Sequence, residues 1–286
     1  MSPAGGSSFD KLRTSGVQKR HAQETSCMSL DGARVWLTGA SSGIGEALVA
    51  PLVRRGARVA ITARRTDLLN AIAAQHAGGR ASVLVVPADV TDGAAVAAAA
   101  TQVESAWGGI DLAIFNAGGS VGPPPLETHD PQFVASEYTA TMGLNYFSVV
   151  YGIDAVLPGM LERGSGRIAA VASLGGYRPS MVALPYTTSK AAVIHLIEGL
   201  RIQVASRGIA VTVVSPGFVR TPLTARNSFK MPFLVEVDDA AERIVRGLEG
   251  GKDEIVFPAP LAWAIKLLGL LPNRLYAHIM RQAAPK

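Results

Sequence analysis

The chain has 286 residues, 48% of them hydrophobic, enough for one large domain with a substantial buried core. Its formal charge is +5, of which residues 1–28 carry +2 (Lys11, Arg13, Lys19 and Arg20 against Asp10 and Glu24), and no Lys/Arg-dense run follows, which argues against a nucleic acid partner. The single cysteine, Cys27, excludes an intrachain disulfide, and five scattered histidines offer no metal-ligand spacing, so no metal is expected and a reducing, cytoplasmic compartment is.

The first 28 residues are rich in Ser, Gly and charge and lack the apolar stretch of a signal peptide. They read as a disordered extension, with the natural start at Met28 and a single domain over 29–286. From residue 33, short β-rich apolar runs alternate with longer segments of helical period. The runs are 33–39, 57–62, 81–86, 110–116, 166–173, 209–215 and 254–257. Seven runs separated by helices predict a doubly wound α/β fold, a seven-stranded parallel sheet with helices on both faces, because each return to a parallel strand needs a crossover. Ligands of such a sheet collect beyond the carboxyl ends of its strands.

The first run leads into "TGASSGIG" (38–45) and then a helix. Gly39, Gly43 and Gly45 permit a tight turn, and the helix amino terminus favours a pyrophosphate, although the order G-x-x-x-G-x-G is not the common dinucleotide fingerprint and such turns also serve conformation alone. The second run ends "ITARRTD". Where a carboxylate would meet a ribose 2′-hydroxyl, the chain has Ala63, Arg64 and Arg65, which suit a 2′-phosphate or simply a solvated loop; Asp67 suits the start of the next helix. The Ala-rich segment 92–107 has the composition of a helix packed closely on a sheet. In "YTTSK" (186–190), Tyr186 and Lys190 project from one helix face on successive turns, as a surface pair or a tuned acid. Beyond the last run, 258–280 contains an apolar stretch, Leu261 to Leu271, too short to span a bilayer and apolar nearly all round, so it needs cover.

"TGASSGIG", "PADV" (87–90), "NAGG" (116–119), Ser173, "YTTSK" and "SPGFVRTP" (215–222) follow one another in an order that closely resembles the short-chain dehydrogenase/reductase family, in its compact single-domain, Rossmann-fold branch. The resemblance covers roughly Leu30 to Val256. It implies an NADP(H)-dependent oxidoreductase, with a catalytic quartet at Asn145, Ser173, Tyr186 and Lys190. Gly39, Ser41, Ser42, Gly43, Ile44 and Gly45 would frame the pyrophosphate, with Thr38 holding the loop. Asp89 and Val90 would meet the adenine, Arg64 and Arg65 the 2′-phosphate, and Asn116, Ala117 and Gly118 would lie beside the cofactor. Pro216, Gly217, Val219 and Thr221 would flank the nicotinamide. The implied mechanism has Tyr186 exchanging a proton with a carbonyl or alcohol, its pKa lowered by Lys190 and the oxidised nicotinamide. Ser173 would hold the substrate oxygen and Asn145 would anchor a water.

The expected pocket walls are Leu174, Tyr177, Met181, Val182 and Leu184, then Leu223, Phe229, Met231, Phe233 and Leu234, which suit an apolar carbonyl or alcohol. His195, Met142 and Met160 read as packing residues. Family members pair, so a homodimer or homotetramer is expected, with 258–280 buried at a subunit boundary or over the pocket and peripheral membrane contact as the second choice. The alternative to an enzyme is a cofactor-binding scaffold or sensor of the same fold.

Overall fold

The structure, a computed structural model, describes residues 27–77, 82–121, 133–179, 183–227 and 229–283. The expected N-terminal extension falls almost wholly outside them, as do Met181 and Val182. Each apolar run forms a strand: β1 (Arg34–Thr38), β2 (Arg58–Thr62), β3 (Val83–Val85), β4 (Leu112–Phe115), β5 (Gly166–Val171), β6 (Ile209–Pro216) and β7 (Glu254–Phe257). All pair in parallel, in the order β3-β2-β1-β4-β5-β6-β7.

The pleat sends alternate side chains to opposite faces. Val35 and Leu37 of β1 join a core with α1 (Gly43–Arg54), α2 (Thr66–Gln75) and α7 (Val237–Glu249). Trp36 joins the other core, with α3 (Gly93–Trp107), α5 (Ser148–Arg163) and α6 (Leu184–Val204). Small residues set the spacing on that second face: Ala99 and Ala100 of α3 are buried against the sheet, and at Gly152 of α5 a methyl group would run into the Phe115 ring. Asp92 caps α3 by accepting from the Ala94 and Ala95 amides at 2.9 and 3.3 Å, and Asp67 sits in the first turn of α2.

Strand order reverses between β1 and β4. The loops leaving these strands diverge there and open a crevice at the carboxyl edge of the sheet. A continuous helical stretch, α4 (Ala135–Met142) with a π turn at Gly143–Phe147, runs into α5 beside this crevice. After β7 the chain returns as α8 (Ala259–Gly269) and α9 (Asn273–Ala283), which close the far end of the same edge.

Candidate active site

The turn after β1 is built by contacts that exclude side chains. Gly39 has φ +70°, and a Cβ there would lie 2.5 Å from Ala117 Cα and 2.7 Å from Ala117 N. A Cβ on Gly45 would fall far inside contact with the Gly39 carbonyl and Asn116 Nδ2. The β1 and β4 loops are also stitched together by polar groups. Thr38 Oγ1 accepts from the Asn116 and Ala117 amides at 3.2 and 3.4 Å, while Asn116 Nδ2 donates to the carbonyls of Thr38 and Gly39, each at 3.2 Å. The result is a flat backbone floor in front of the α1 amino terminus, the arrangement that accepts a pyrophosphate.

Of the residues expected at a cofactor, all but Thr38, Gly45 and Asp89 line the cleft of about 340 Å³ over this floor. Thr38 and Gly45 act from behind, as just described. Asp89 turns its carboxylate to the Thr91 amide and hydroxyl, at 2.9 and 2.8 Å, leaving Ala88 and Val90 to line the cleft. Those hydrogen bonds, led by the Thr91 amide, hold the Asp89 carboxyl below its ordinary range, with Arg64 adding to them. Arg65 donates to the Ser41 carbonyl and hydroxyl at 3.2 and 2.9 Å. Arg64 is 73% exposed at the rim, 3.8 Å from Asp89.

At the other end of the cleft, Lys190 is buried and donates to the Val171 carbonyl at 2.7 Å. Its Nζ lies 5.8 Å from the centre of the Tyr186 ring. Ser173, at the end of β5, accepts from the Gly175 amide at 3.1 Å. Gly176 lets this turn lie on α6, since a Cβ there would come within 2.9 Å of the Lys190 carbonyl oxygen. Ser173 is thereby brought to Tyr186, whose phenol bonds with its hydroxyl. Asn145 sits in the π turn, a helix irregularity frequent at functional sites. Its carboxamide is wholly engaged within the protein: Oδ1 accepts from the Gly119 amide at 2.7 Å, and Nδ2 donates to the Gly119 carbonyl at 2.9 Å and to Ser189 Oγ at 2.8 Å. Ser189 in turn donates to the Tyr186 carbonyl at 2.7 Å. The side chain thus ties the β4 loop to α6. Ser189 and Gly119 stand within the quoted motifs but were given no role there, because their importance lies only in this bridge.

Burial pushes the Tyr186 phenol above its ordinary range, with the Ser173 hydrogen bond pulling the other way. Lys190 itself is lowered from 10.5 to about 8 by burial. Because its folded pKa lies below the unfolded one, the unfolded chain binds the extra proton between about pH 8 and 10.5, and stability rises with pH across that window. Lys190→Met should remove that rise. Urea unfolding at pH 7.5 and 10 should show the wild type gaining up to about 3 kcal/mol relative to the variant; an unchanged difference would contradict a buried, strained ammonium.

A second cavity of about 340 Å³, largely apolar, meets the cleft at Ser173 and Tyr186, which line both. Leu174, Leu223 and Phe229 form part of its wall as expected. Other expected wall residues point elsewhere. The Tyr177 hydroxyl bonds to Glu254 on β7 and to Ser215, facing away from the cavity. Leu184 and Phe233 are exposed, and Met231 and Leu234 stay off the wall, Met231 Sδ accepting from Asn227 at 3.5 Å. His195 is exposed on the outer side of α6 instead of packed, Met142 is half-buried and Met160 is fully buried as read. The missing wall comes from Phe218 and from α8 and α9, through Leu261, Ile265, Leu268, Tyr276 and Met280. The helical spacing of Leu261, Ile265 and Leu268 is the signal that could have found them.

Arg178 clasps this C-terminal hairpin to the Ser173 turn. It donates to the Leu271 carbonyl at 2.7 Å and to Asn273 Oδ1 at 3.2 Å, and stacks 4.6 Å from the Tyr276 ring centre; Tyr276 donates to the Pro179 carbonyl at 2.8 Å. Arg178→Ala should loosen that wall and raise KM for an apolar substrate about tenfold, while kcat and cofactor affinity change less than about twofold. A comparable fall in cofactor affinity would contradict the assignment of Arg178 to the apolar cavity alone.

The profile of the short chain dehydrogenase family matches residues 33–231, and the chain belongs to that family. An uncharacterized oxidoreductase of Myxococcus xanthus is 36% identical over 246 residues, covering 86% of this chain and 95% of that one. Among solved structures, a short chain dehydrogenase of Burkholderia cenocepacia in complex with NADP is 30% identical with a TM-score of 0.74, covering 88% of this chain and 99% of its own. A Burkholderia phymatum relative in complex with NAD, 22% identical, shares the fold at a TM-score of 0.75, covering 84% and 94%. The chain is an oxidoreductase of the short-chain dehydrogenase/reductase type with a nicotinamide dinucleotide cleft.

Proposed function

We propose that the protein is a cytoplasmic NADP(H)-dependent enzyme interconverting a carbonyl and an alcohol on an apolar substrate. The observation that carries this reading is the junction at Ser173 and Tyr186, where an apolar cavity opens onto the dinucleotide cleft. The glycine floor fits the cofactor, since a Cβ at Gly39 would meet backbone and one at Gly118 would come within 2.9 Å of Lys190 Nζ and Asn145 Oδ1. The cofactor, when bound, supplies or accepts the hydride.

The rest belongs to the chain. Ser173 offers its hydroxyl to the substrate oxygen, and Tyr186 holds the proton to be delivered to that oxygen. A phenol raised by burial stays protonated at neutral pH, the form required for reduction. Lys190, held by the Val171 carbonyl, would meet the cofactor's ribose hydroxyls, and Asn145 keeps α6 in register with the loop after β4.

Preference for the 2′-phosphate is supported by Arg64 and Arg65 at the cleft rim and by the absence of a carboxylate at Ala63. The Ala63→Asp/Arg64→Leu double variant should lower the NADPH to NADH ratio of kcat/KM by about 10- to 100-fold. Wild-type protein that binds NADH more tightly than NADPH would sink this assignment.

A further inference from the structure

Helix α8, with the residue that follows it, has two apolar faces, and among the described residues one of them meets the rest of the fold. Leu261, Ile265 and Leu268 look into the apolar cavity. Trp263, Leu267 and Leu270 repeat at the same helical spacing on the opposite side and are 68%, 60% and 81% exposed. An indole and two leucines aligned on one outward face form a patch that calls for a partner.

The charge on the hairpin itself is one-sided, and Glu198 and Glu254 meet α8 on the flank that carries Ile265, Lys266 and Gly269. After Glu254 the sequence contains no Asp or Glu, against Lys266, Arg274, Arg281 and Lys286. Lys266 is bound to Glu254 at 2.5 Å, whereas Arg274 and Arg281 lie exposed on α9. Lys230 is exposed on the loop that supplies the opposite cavity wall. A second copy seated on this face by a two-fold axis would bring cations against the same cations. An outward tryptophan and leucines beside the exposed cations of α9 instead match the chemistry of an anionic lipid surface, where the rings sit at headgroup level and the cations meet the lipid charge.

We propose that α8 and α9 dock the protein on anionic membranes through Trp263, Leu267 and Leu270, with Arg274 and Arg281 supplying the electrostatic contact. The helix that walls the apolar cavity then lies at the lipid boundary, a position suited to apolar compounds that partition into the bilayer.

The test is co-sedimentation of the full chain with vesicles of phosphatidylcholine alone and of phosphatidylcholine mixed with phosphatidylglycerol, at low and high salt. The protein should sediment with the mixed vesicles, less so at high salt, and little with phosphatidylcholine alone. Trp263→Ser/Leu267→Ser/Leu270→Ser should abolish binding, and Arg274→Glu/Arg281→Glu should weaken it at least about tenfold, both with unchanged NADPH affinity as the check that the fold is intact. Failure of the wild type to bind mixed vesicles, or equal binding by the variants, overturns the proposal. So does a larger mass in light scattering that the triple substitution removes without any vesicle binding, which would assign the face to a second copy.

Discussion

Tyr186→Phe should lower carbonyl reduction by about a thousandfold or more while leaving NADP(H) affinity within about twofold of wild type. The substitution removes one hydroxyl from a half-buried ring that lines both cavities. Ser173 keeps its bond from the Gly175 amide at 3.1 Å, so the turn that carries it is not released. Stability should change by no more than about 1 kcal/mol. The proton delivered to the substrate oxygen would have to come from water, which the apolar cavity disfavours. Because burial raises the phenol's pKa, the wild-type rate of reduction should stay level through neutral pH and fall only where the solution becomes alkaline enough to ionise it. Steady-state rates alongside cofactor titration separate the two effects, and near-normal turnover in the variant would remove Tyr186 from the mechanism.

Gly39→Ala should abolish cofactor binding, and Gly32→Ala serves as its control. Both glycines have positive φ, +70° at Gly39 and +74° at Gly32. A Cβ at Gly32 meets nothing within 4 Å, so that substitution isolates the backbone cost, about 1 kcal/mol. At Gly39 the same cost is joined by a clash with the Ala117 backbone at 2.5 Å, which can be relieved only by parting the β1 and β4 loops. Those loops carry the cleft floor and the Thr38 and Asn116 hydrogen bonds. We expect NADP(H) affinity to fall at least about a hundredfold and unfolding free energy by about 2 to 4 kcal/mol more than in the control. Equal behaviour of the two variants would show that the loops do not meet as described.

The strands were legible because a parallel strand buried on both faces reads as a continuous apolar run, as in Val35 to Leu37 and Ile168 to Val171. The third run shrank to Val83–Val85, since an edge strand has one neighbour to define its ends. Strand order was not legible, for no local pattern says that β4 lies beside β1, and it came only with the folded sheet. Residues acting through their own backbone, such as Gly39 and Gly45, showed in the spacing of the motif. Residues whose surroundings come from distant segments did not. Tyr177 looked like a cavity wall beside Ser173, but Glu254 on β7 takes its hydroxyl. The four-residue spacing of Tyr186 and Lys190 placed both on one helix face, but the burial that dominates the phenol of the chain alone comes from distant segments and had no local signal. The C-terminal segment announced that it needed cover, while the division of its two faces became visible only with β7 and Phe218 in place.

The most direct test of the proposed chemistry is the oxidation of NADPH by the purified chain, followed with and without a panel of apolar aldehydes and ketones. We expect substrate-dependent oxidation, faster with NADPH than with NADH and lost in Tyr186→Phe. Tight NADPH binding with no turnover of any carbonyl, or turnover that persists in Tyr186→Phe, would contradict the account.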